Sequence, residues 1–295
     1  MSEISDVRER AICSIGTRKA RYPNVGLYAS EDSRIADVKS SSSWSAMPIL
    51  SSHNIRVFII NKSKSTMKQF SSVHKGGEKK EEPTEVEHKA SYLKLAYESA
   101  MDVQKSRNCY DTHAELYETV HSDGSWVGPR LLAEQVALRL QDSDSQSAIL
   151  DFGAGTGLLG RALAQNKIAA TIEAADLSKD MLDIAQKTSD GIYTNFHIGL
   201  LNEDFTLENN YYDAVVSSGV IGTHVGFECV EEIMPSVKKG GFIAFTILKE
   251  ANESFFSGHY ETMSPEWKVE AKIETGPLNV DIPNVEHNIM ILKRN

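Results

Sequence analysis

The amino-acid sequence predicts an α/β fold: a mostly parallel, seven-stranded sheet with an antiparallel last strand and helices on both faces. From residue 148 onward, short apolar runs alternate with segments of helical periodicity, which is typical of a parallel sheet covered by helices. The last two strand-like runs, 268–273 and 288–292, have no helical pattern between them. Because parallel neighbours need a long crossover, we expect the final strand to be antiparallel.

The N-terminal segment differs in composition from the rest of the chain. Residues 1–80 contain 16 serines and carry a formal charge of +7, whereas residues 81–295 carry −17. Apart from one strand-like run at 55–60, this segment shows no sustained hydrophobic period. We therefore expect residues 1–88 to be a disordered, basic, Ser-rich extension and linker. A targeting segment is the alternative, because no acidic residue occurs between Lys39 and Gly77.

Residues 89–295 are predicted to form one domain, with a helical lead-in at 89–141 and a sheet core at 148–295. Helices are expected at 92–100 and 111–120 and after Pro129, a residue that favours helix starts. In the core, strands are expected at 148–152, 171–175, 193–198, 213–217, 242–248, 268–273 and 288–292, and helices at 158–164, 179–187 and 227–237. Ser178 is the expected N-cap of the second core helix.

Composition narrows the class of protein. No apolar run approaches the roughly 18 residues of a membrane span, so no membrane partner is expected. Three scattered cysteines without a CxxC pair argue against a disulfide scaffold or a metal site, and favour a reducing compartment, by default the cytoplasm. The acidic main domain would repel a phosphate backbone, which argues against nucleic acid as a partner.

The densest chemical information lies at residues 149–157, Ile-Leu-Asp-Phe-Gly-Ala-Gly-Thr-Gly. An apolar strand runs into three alternating glycines and then a helix. Glycine permits positive φ and lets the backbone approach a ligand closely, and the helix start presents unpaired N–H groups. A dinucleotide is one ligand that fits such a loop, because residues 155–160 match GxGxxG. Asp176 follows about 20 residues further on, as in dinucleotide sites.

The whole string resembles motif I of the class I S-adenosylmethionine-dependent methyltransferases, in which an acidic residue ends the first strand before GxGxG. Similar blocks follow in order at 175–182, 212–218 and 238–242, so that the resemblance covers residues 110–295. It implies a Rossmann-like fold, S-adenosylmethionine as the cofactor and methyl transfer as the activity. The cofactor-binding residues that it implies are Asp151, Gly153, Ala154, Gly155, Gly157, Asp176, Leu177, Leu200 and Ser218.

Within this set, the resemblance implies that Asp176 accepts both ribose hydroxyls, and a carboxylate suits that role because it has two acceptor oxygens. Leu200 departs from the family pattern. Many members place there an aspartate that accepts from the adenine amino group, and leucine can only pack against the ring. Asn202, Glu203 or the backbone would have to supply that acceptor.

A narrower resemblance rests on residues 110–118, Tyr-Asp-Thr-His-Ala-Glu-Leu-Tyr-Glu, followed by Trp-Val-Gly-Pro at 126–129 and Gly-Thr-His-Val-Gly at 222–226. These segments are similar to the methyltransferase-like proteins of the Williams–Beuren syndrome chromosome region. Tyr110, Tyr117 and Trp126 are candidates for a lid over the substrate, or else for helix-core aromatics. His224 is the best-placed candidate base, with a packing or surface role as the alternative.

The predicted function is S-adenosylmethionine-dependent methyl transfer to an unidentified small molecule or protein. The fourth core strand ends Ser-Ser-Gly-Val at 217–220 instead of the Asn/Asp-Pro-Pro-aromatic block of enzymes that methylate base amines, and no Pro-Cys pair is present. A binding protein that keeps the cofactor site without turnover is one alternative. A nicotinamide-dependent oxidoreductase is another, although its dinucleotide unit would need further strand–helix repeats.

Overall fold

The computed structural model describes residues 45–49, 57–61, 92, 95–96, 98–100, 102–141, 146–280 and 283–295. In the N-terminal segment, β1 (Ser45–Ile49) and β2 (Val57–Asn61) form a two-stranded sheet. Strand β2 overlaps the strand-like run at 55–60. The rest of residues 1–88 lies outside the described residues, so the predicted disorder and the boundary at 88 stay predictions.

The main part of the chain forms a seven-stranded mixed sheet in the order β5-β4-β3-β6-β7-β9-β8. Its strands are β3 (Ser147–Phe152), β4 (Ala170–Asp176), β5 (Tyr193–Ile198), β6 (Tyr212–Ser217), β7 (Val237–Leu248), β8 (Trp267–Pro277) and β9 (Glu286–Arg294). The pairs among β3 to β7 are parallel, and β9 is antiparallel to both β7 and β8. The predicted fold class, including the antiparallel last strand, is therefore confirmed.

The helices are α1 (Val103–His121), α2 (Gly128–Leu140), α3 (Leu158–Gln165), α4 (Lys179–Thr188), α5 (Phe227–Ile233), the three-residue α6 (Lys249–Ala251) and α7 (Ser257–Thr262). A 3₁₀ turn spans Met234–Ser236 and a π-helical segment spans Asn252–Phe256. Ser178 caps α4 as predicted, since its hydroxyl accepts from the Met181 N–H. Among the described residues, we find no helix with the length and apolar character that a membrane crossing requires.

Helices cover both faces of the sheet, and each face has its own apolar cluster. One cluster joins the sheet to α2, α3 and α4 through Leu132, Leu163 and Leu182, all almost fully buried. The other joins the opposite face to α5 through Phe227 and Ile233. Burial of each such side chain contributes about 1.5–3 kcal/mol, which fixes the helices on the sheet and thereby the loops that connect them.

Three predicted boundaries are wrong. Helix α1 starts at Val103, well before residue 111, because the Asp102 carboxylate accepts from the Lys105 N–H and caps it there. Val237 was expected on a helix face, but the 3₁₀ turn containing Pro235 ends that helix and Val237 begins β7. Strand β7 therefore begins before the expected residue 242, and Gly240 lies inside it, where a positive φ of +79° accompanies a register shift against β6.

The topology brings the predicted site together at one edge of the sheet. Strand β3 has β4 on one side and β6 on the other, so chain connections leave it in both directions. In open α/β sheets, ligands bind at such a reversal, outside the carboxyl ends of the strands. Strands β3, β4, β5 and β6 are parallel and place Asp151, Asp176, Ile198 and Ser217 at this edge.

Candidate active site

The loop between β3 and α3 has the backbone that the three glycines predict. Gly153, Gly155 and Gly157 have φ values of +70°, +55° and +88°, all in the region that disfavours other residues. A Cβ on Gly153 would lie 2.4 Å from Val220 Cγ2, and one on Gly157 would lie 2.6 Å from Ser189 Oγ. Gly153 and Gly157 are thus needed for the protein's own packing.

Gly155 is different, because a Cβ there would clash with no neighbouring side chain. A Cβ added there would meet nothing closer than Met181 Cε at 3.5 Å and Tyr117 Cε1 at 4.0 Å. The loop is also tied to the end of β4, since the N–H groups of Gly153 and the buried Ala154 donate to the Ala175 carbonyl at 2.7 and 3.0 Å. At Gly155 the backbone is therefore not closed off by a tight side-chain contact.

Asp176 ends β4 and holds the same loop. Its Oδ2 accepts from the Gly155 N–H at 2.8 Å and its Oδ1 accepts from the Ser178 N–H at 2.9 Å. Burial raises the pKa of this carboxyl to about 6, while these hydrogen bonds oppose the rise. A carboxylate has about four acceptor positions, so two remain for a ligand.

Asp151, at the end of β3, is fully buried beneath the loop. Its Oδ2 accepts from the Tyr193 hydroxyl at 2.6 Å, and its Oδ1 has no hydrogen-bond partner among the described residues. Burial raises the pKa of this carboxyl to about 7. Gly160 makes room for Tyr193, because a Cβ there would lie 2.3 Å from the phenolic oxygen. No local sequence pattern indicated this partnership, since the two partners are 42 residues apart.

A cavity of about 290 Å³ lies beside Asp176, between the carboxyl ends of β4 and β5 and the start of α1. Its walls are Arg107, Asp111, Leu177, Lys179, Ile198, Gly199 and Asp204. Leu177 was a predicted cofactor residue and lies in this wall. Leu200 does not line the cavity, and its N–H donates to Asp204 Oδ2 at 2.8 Å. Two acidic residues line the cavity, Asp111 and Asp204, whereas Asn202 and Glu203 do not.

Helix α1 covers the glycine loop and brings two of the three predicted lid residues to it. Tyr117 Cε1 lies 4.0 Å from the position of a Cβ on Gly155, and the ring of Tyr110 packs edge-on against Tyr117 with centroids 6.2 Å apart. Asp111 Oδ1 accepts from the Ser178 hydroxyl at 2.6 Å, which ties α1 to the cap of α4.

Arg161 on α3 adds a second tie between α1 and the glycine loop. It donates to Glu118 on α1 at 2.7 Å and to the Thr156 carbonyl of the loop at 2.8 Å. The same guanidinium also donates to the Thr188 hydroxyl at 2.6 Å. Arg161, Asp111 and Glu118 were not identified from the sequence, because contacts between separate helices leave no local pattern.

His224, the candidate base, lies on the loop after β6 and contacts α1. Its Nε2 lies 2.8 Å from the Tyr110 hydroxyl, and its Nδ1 lies 3.4 Å from Ser106 Oγ. Burial lowers the pKa of His224 to about 4, so the imidazole is neutral at neutral pH. The structure therefore brings His224 together with Tyr110 and occupies both ring nitrogens.

Trp126, the third lid candidate, packs at the end of β6. Its Cζ2 lies 3.4 Å from the position of a Cβ on Gly219, and its ring meets His287 edge-on with centroids 5.8 Å apart. Ser218 is close by, since its Oγ lies 3.3 Å from the position of a Cβ on Gly128, and this oxygen is buried without a partner among the described residues. A polar atom of that kind is available to a ligand.

Comparison with known proteins gives a family match over the sheet core: residues 149–241 match the family model described as a methyltransferase domain. The chain is 37% identical over 87 residues to the malonyl-[acyl-carrier protein] O-methyltransferase of Halalkalibacterium halodurans, covering 30% of this chain and 32% of that protein. It is 28% identical over 126 residues to the release factor glutamine methyltransferase of Streptococcus pneumoniae, covering 42% of each. The chain thus spans less than half the length of these relatives.

Solved structures include more distant likenesses. A chain of the complex between the Haloferax volcanii Trm112 methyltransferase activator and a methyltransferase is 17% identical, with a TM-score of 0.49, covering 64% of this chain and 96% of its own. Phosphoethanolamine N-methyltransferase 2 of Haemonchus contortus is 15% identical, with a TM-score of 0.41, covering 55% and 52%. Such distant likeness carries no conclusion about activity. The family match therefore concerns residues 149–241, which contain the glycine loop and Asp176.

Proposed function

We propose that this protein is a class I S-adenosylmethionine-dependent methyltransferase. The observation that carries the proposal is the arrangement around Gly155, whose N–H donates to the half-buried carboxylate of Asp176 and where a Cβ would clash with no neighbour. This carboxylate retains acceptor capacity and adjoins a cavity of about 290 Å³. An adenosyl ligand has two ribose hydroxyls, which can donate to this carboxylate, and a flat base, which the cavity can accommodate.

The residues present fit this cofactor. Asp176 would accept the ribose hydroxyls, and Leu177, Ile198 and Gly199 would contact the base in the cavity. Asp204 would accept the hydrogen bond from the adenine amino group, in place of the aspartate that many family members have at the position of Leu200. The backbone of the glycine loop at Gly155 would contact the methionyl part. When bound, S-adenosylmethionine supplies a methyl group on a sulfonium, which is already a strong electrophile.

The remaining work of the chain is positioning and exclusion of water. Transfer to a suitably placed nucleophile requires alignment of acceptor and donor in a closed site. Tyr110 and Tyr117 on α1 stand over the loop, and Asp111 and Arg161 hold α1 in that place. We infer that this helix closes the site over the reacting groups.

We further propose that the acceptor is a small molecule or a protein side chain, and that the protein acts in the cytoplasm. The acidic balance of residues 81–295 disfavours nucleic acid. By their names, the partial relatives are an O-methyltransferase of malonyl-[acyl-carrier protein] and a glutamine methyltransferase of release factor, and both are consistent with this range of acceptors. The narrower similarity to the Williams–Beuren region proteins stays a prediction.

Two other functions make different predictions. A cofactor-binding protein without turnover would bind both adenosyl compounds but form no methylated product. A nicotinamide-dependent oxidoreductase would bind NAD, but its fingerprint has no place for the buried acid Asp151 before the glycines.

Calorimetric titration of the full chain with S-adenosylmethionine, S-adenosylhomocysteine and NAD tests the proposal. We expect both adenosyl compounds to bind and NAD to give no heat of binding. Tight NAD binding without either adenosyl compound would reverse the assignment.

A further inference from the structure

The hydrogen bonds around His224 have a direction that can be assigned from their partners. The Ser106 hydroxyl donates to the Ser99 carbonyl at 2.9 Å, so its oxygen faces His224 as an acceptor. Nδ1 of His224 therefore carries the ring proton, and Nε2 accepts from the Tyr110 hydroxyl at 2.8 Å. The series forms one relay, Tyr110 to His224 to Ser106 to the Ser99 carbonyl, in which every donor has an acceptor.

His224 itself has no nitrogen left for a substrate, and Tyr110 is the member of the relay that packs against the lid residue Tyr117. Tyr117 Cε1 lies 4.0 Å from the position of a Cβ on Gly155, and the charge of Asp176 acts on Tyr110. The hydroxyl of Tyr92 also hydrogen-bonds to the Tyr110 hydroxyl. A phenolic oxygen has two lone pairs, so one is left to accept a further proton.

We propose that Tyr110 is a catalytic residue that takes a proton from the methyl acceptor, with His224 and Ser106 as positioning residues that receive and orient that proton. It follows that the acceptor is a nucleophile with a removable proton, an amine, hydroxyl or thiol, and not a carboxylate. This inference rests on the proposed methyltransferase function.

The proton and the electrons balance in this scheme. The acceptor's nitrogen, oxygen or sulfur forms a bond to the methyl carbon while the carbon–sulfur bond breaks and its electron pair stays on the sulfur. The acceptor's proton passes to Tyr110 Oη, and the proton of Tyr110 passes to His224 Nε2. His224 holds this proton only in passing, because its burial disfavours the imidazolium, and the proton then leaves to water. A carboxylate has no proton to give, so the relay would serve no purpose for it.

Both members of the central pair are neutral before the reaction. Burial raises the pKa of Tyr110 well above its usual value and lowers the pKa of His224 to about 4. The titratable groups that act on the pair are Tyr92, Cys109, Tyr117 and Asp176. Tyr110 therefore does not ionise alone, and we expect it to pass a proton on only as it receives one.

Nitrogen-15 NMR of the histidine-labelled full chain, saturated with S-adenosylhomocysteine, tests the relay without turnover. We expect His224 to be the Nδ1–H tautomer, with Nε2 shifted by the hydrogen bond from Tyr110. Ser106→Ala should reduce the preference for this tautomer, and Tyr110→Phe should shift the Nε2 resonance alone. An Nε2–H tautomer in the parent chain would overturn the relay.

A kinetic test uses a library of amines, alcohols, phenols, thiols and carboxylates, with methylated products identified by mass spectrometry. We expect the accepted compounds to carry a removable proton. Tyr110→Phe should lower kcat about 10²–10⁴-fold, with little change in affinity for S-adenosylhomocysteine. Tyr211→Phe, the same change on an exposed tyrosine, should keep the parent kcat.

Two results would overturn the proposal: acceptors confined to carboxylates, or a Tyr110→Phe variant with the parent kcat. Failure of the parent chain to bind S-adenosylhomocysteine would instead remove the proposed function on which the relay rests. The pH profile gives an independent check, because His224 stays able to accept a proton down to about its pKa of 4. At saturating cofactor, kcat should therefore show no loss near pH 6.5, where an ordinary histidine titrates.

Discussion

Asp176 has two partners in the structure before any ligand is considered. It fixes the backbone of Gly155 through one oxygen and the start of α4 through the other. The carboxylate that the sequence predicted as a ribose acceptor is thus also part of the loop that the ligand meets. A change at this residue acts on ligand contacts and on loop order together.

We predict that Asp176→Ala weakens S-adenosylhomocysteine binding on the order of tenfold to a thousandfold. Two hydrogen bonds to a charged acceptor, each worth about 1.5–3 kcal/mol, would be lost, partly offset by water. Asp176→Asn should cost less, since it keeps the shape and one acceptor oxygen. Isothermal titration calorimetry of both variants measures the effect.

The matched control is Asp180→Ala, which removes an exposed carboxylate from the first turn of α4, the helix that follows Asp176. It should bind as the parent does. Parent-like binding by Asp176→Ala would show that β4 is wrongly placed against the cofactor.

Asp151 leads to a prediction about stability and pH. Its pKa is raised from 3.8 to about 7, so the folded state holds a proton that the unfolded state releases. The free energy of unfolding should therefore fall as the pH rises from about 4 through about 7, by a total on the order of 1–4 kcal/mol. Asp151→Asn removes the titrating group, while its amide oxygen can still accept from Tyr193.

Urea unfolding at several pH values between 5 and 8 measures this slope. The Asp151→Asn variant should have a flatter dependence than the parent, and the exposed Asp180→Asn variant should keep the parent slope. Equal slopes in the parent and in Asp151→Asn would contradict the burial argument.

At the scale of elements, local patterns predicted the seven core strands and the helices α3, α4 and α5, but not the helical segments between β7 and β8. The cap at Ser178 and the positive φ of the three glycines were also predictable, since both depend on neighbouring residues only. The full length of α1 and its contacts with α3 and α4 were not. They depend on the Asp102 cap and on side chains from separate helices, such as Arg161 and Asp111.

The lead-in before α1 has one well-buried anchor. Tyr92 is only 2% exposed and packs against His113, Tyr117 and His121. We predict that a chain starting at residue 89 folds and binds S-adenosylhomocysteine like the full chain. A chain starting at residue 103 lacks Tyr92 and should have a lower Tm, because the loss of a buried tyrosine costs about 3–5 kcal/mol. Differential scanning calorimetry compares the two, and equal Tm values would show that Tyr92 contributes nothing.

Arg161 gives a prediction for the contact between α1 and the glycine loop. Arg161→Ala removes its bonds to Glu118 and to the Thr156 carbonyl, so the loop should become less ordered. We expect S-adenosylhomocysteine affinity to fall about tenfold, which corresponds to about 1.4 kcal/mol. Arg130→Ala breaks an exposed pair with Glu134 on α2 and should leave the affinity unchanged. If both variants bind equally well, the contact does not order the loop.

At the scale of the whole molecule, the direction of the last strand was predictable but its position was not. The lack of a crossover helix between the last two strands implied antiparallel pairing. Strand β9 lies between β7 and β8 because distant segments of the chain pair there, and a local sequence pattern does not predict such pairing. The cavity was not predictable either, because Arg107 and Asp204 in its wall come from separate parts of the chain.

The position of β9 leaves β8 as one border of the sheet, and the sequence of β8 is suited to that place. Four exposed residues alternate in charge along it, Lys268, Glu270, Lys272 and Glu274. An exposed border strand can template pairing with another copy of the chain, and charged side chains at every second position oppose the flat, dry contact that such stacking needs. The same alternation that marks β8 as a strand thereby protects the protein from edge-to-edge aggregation.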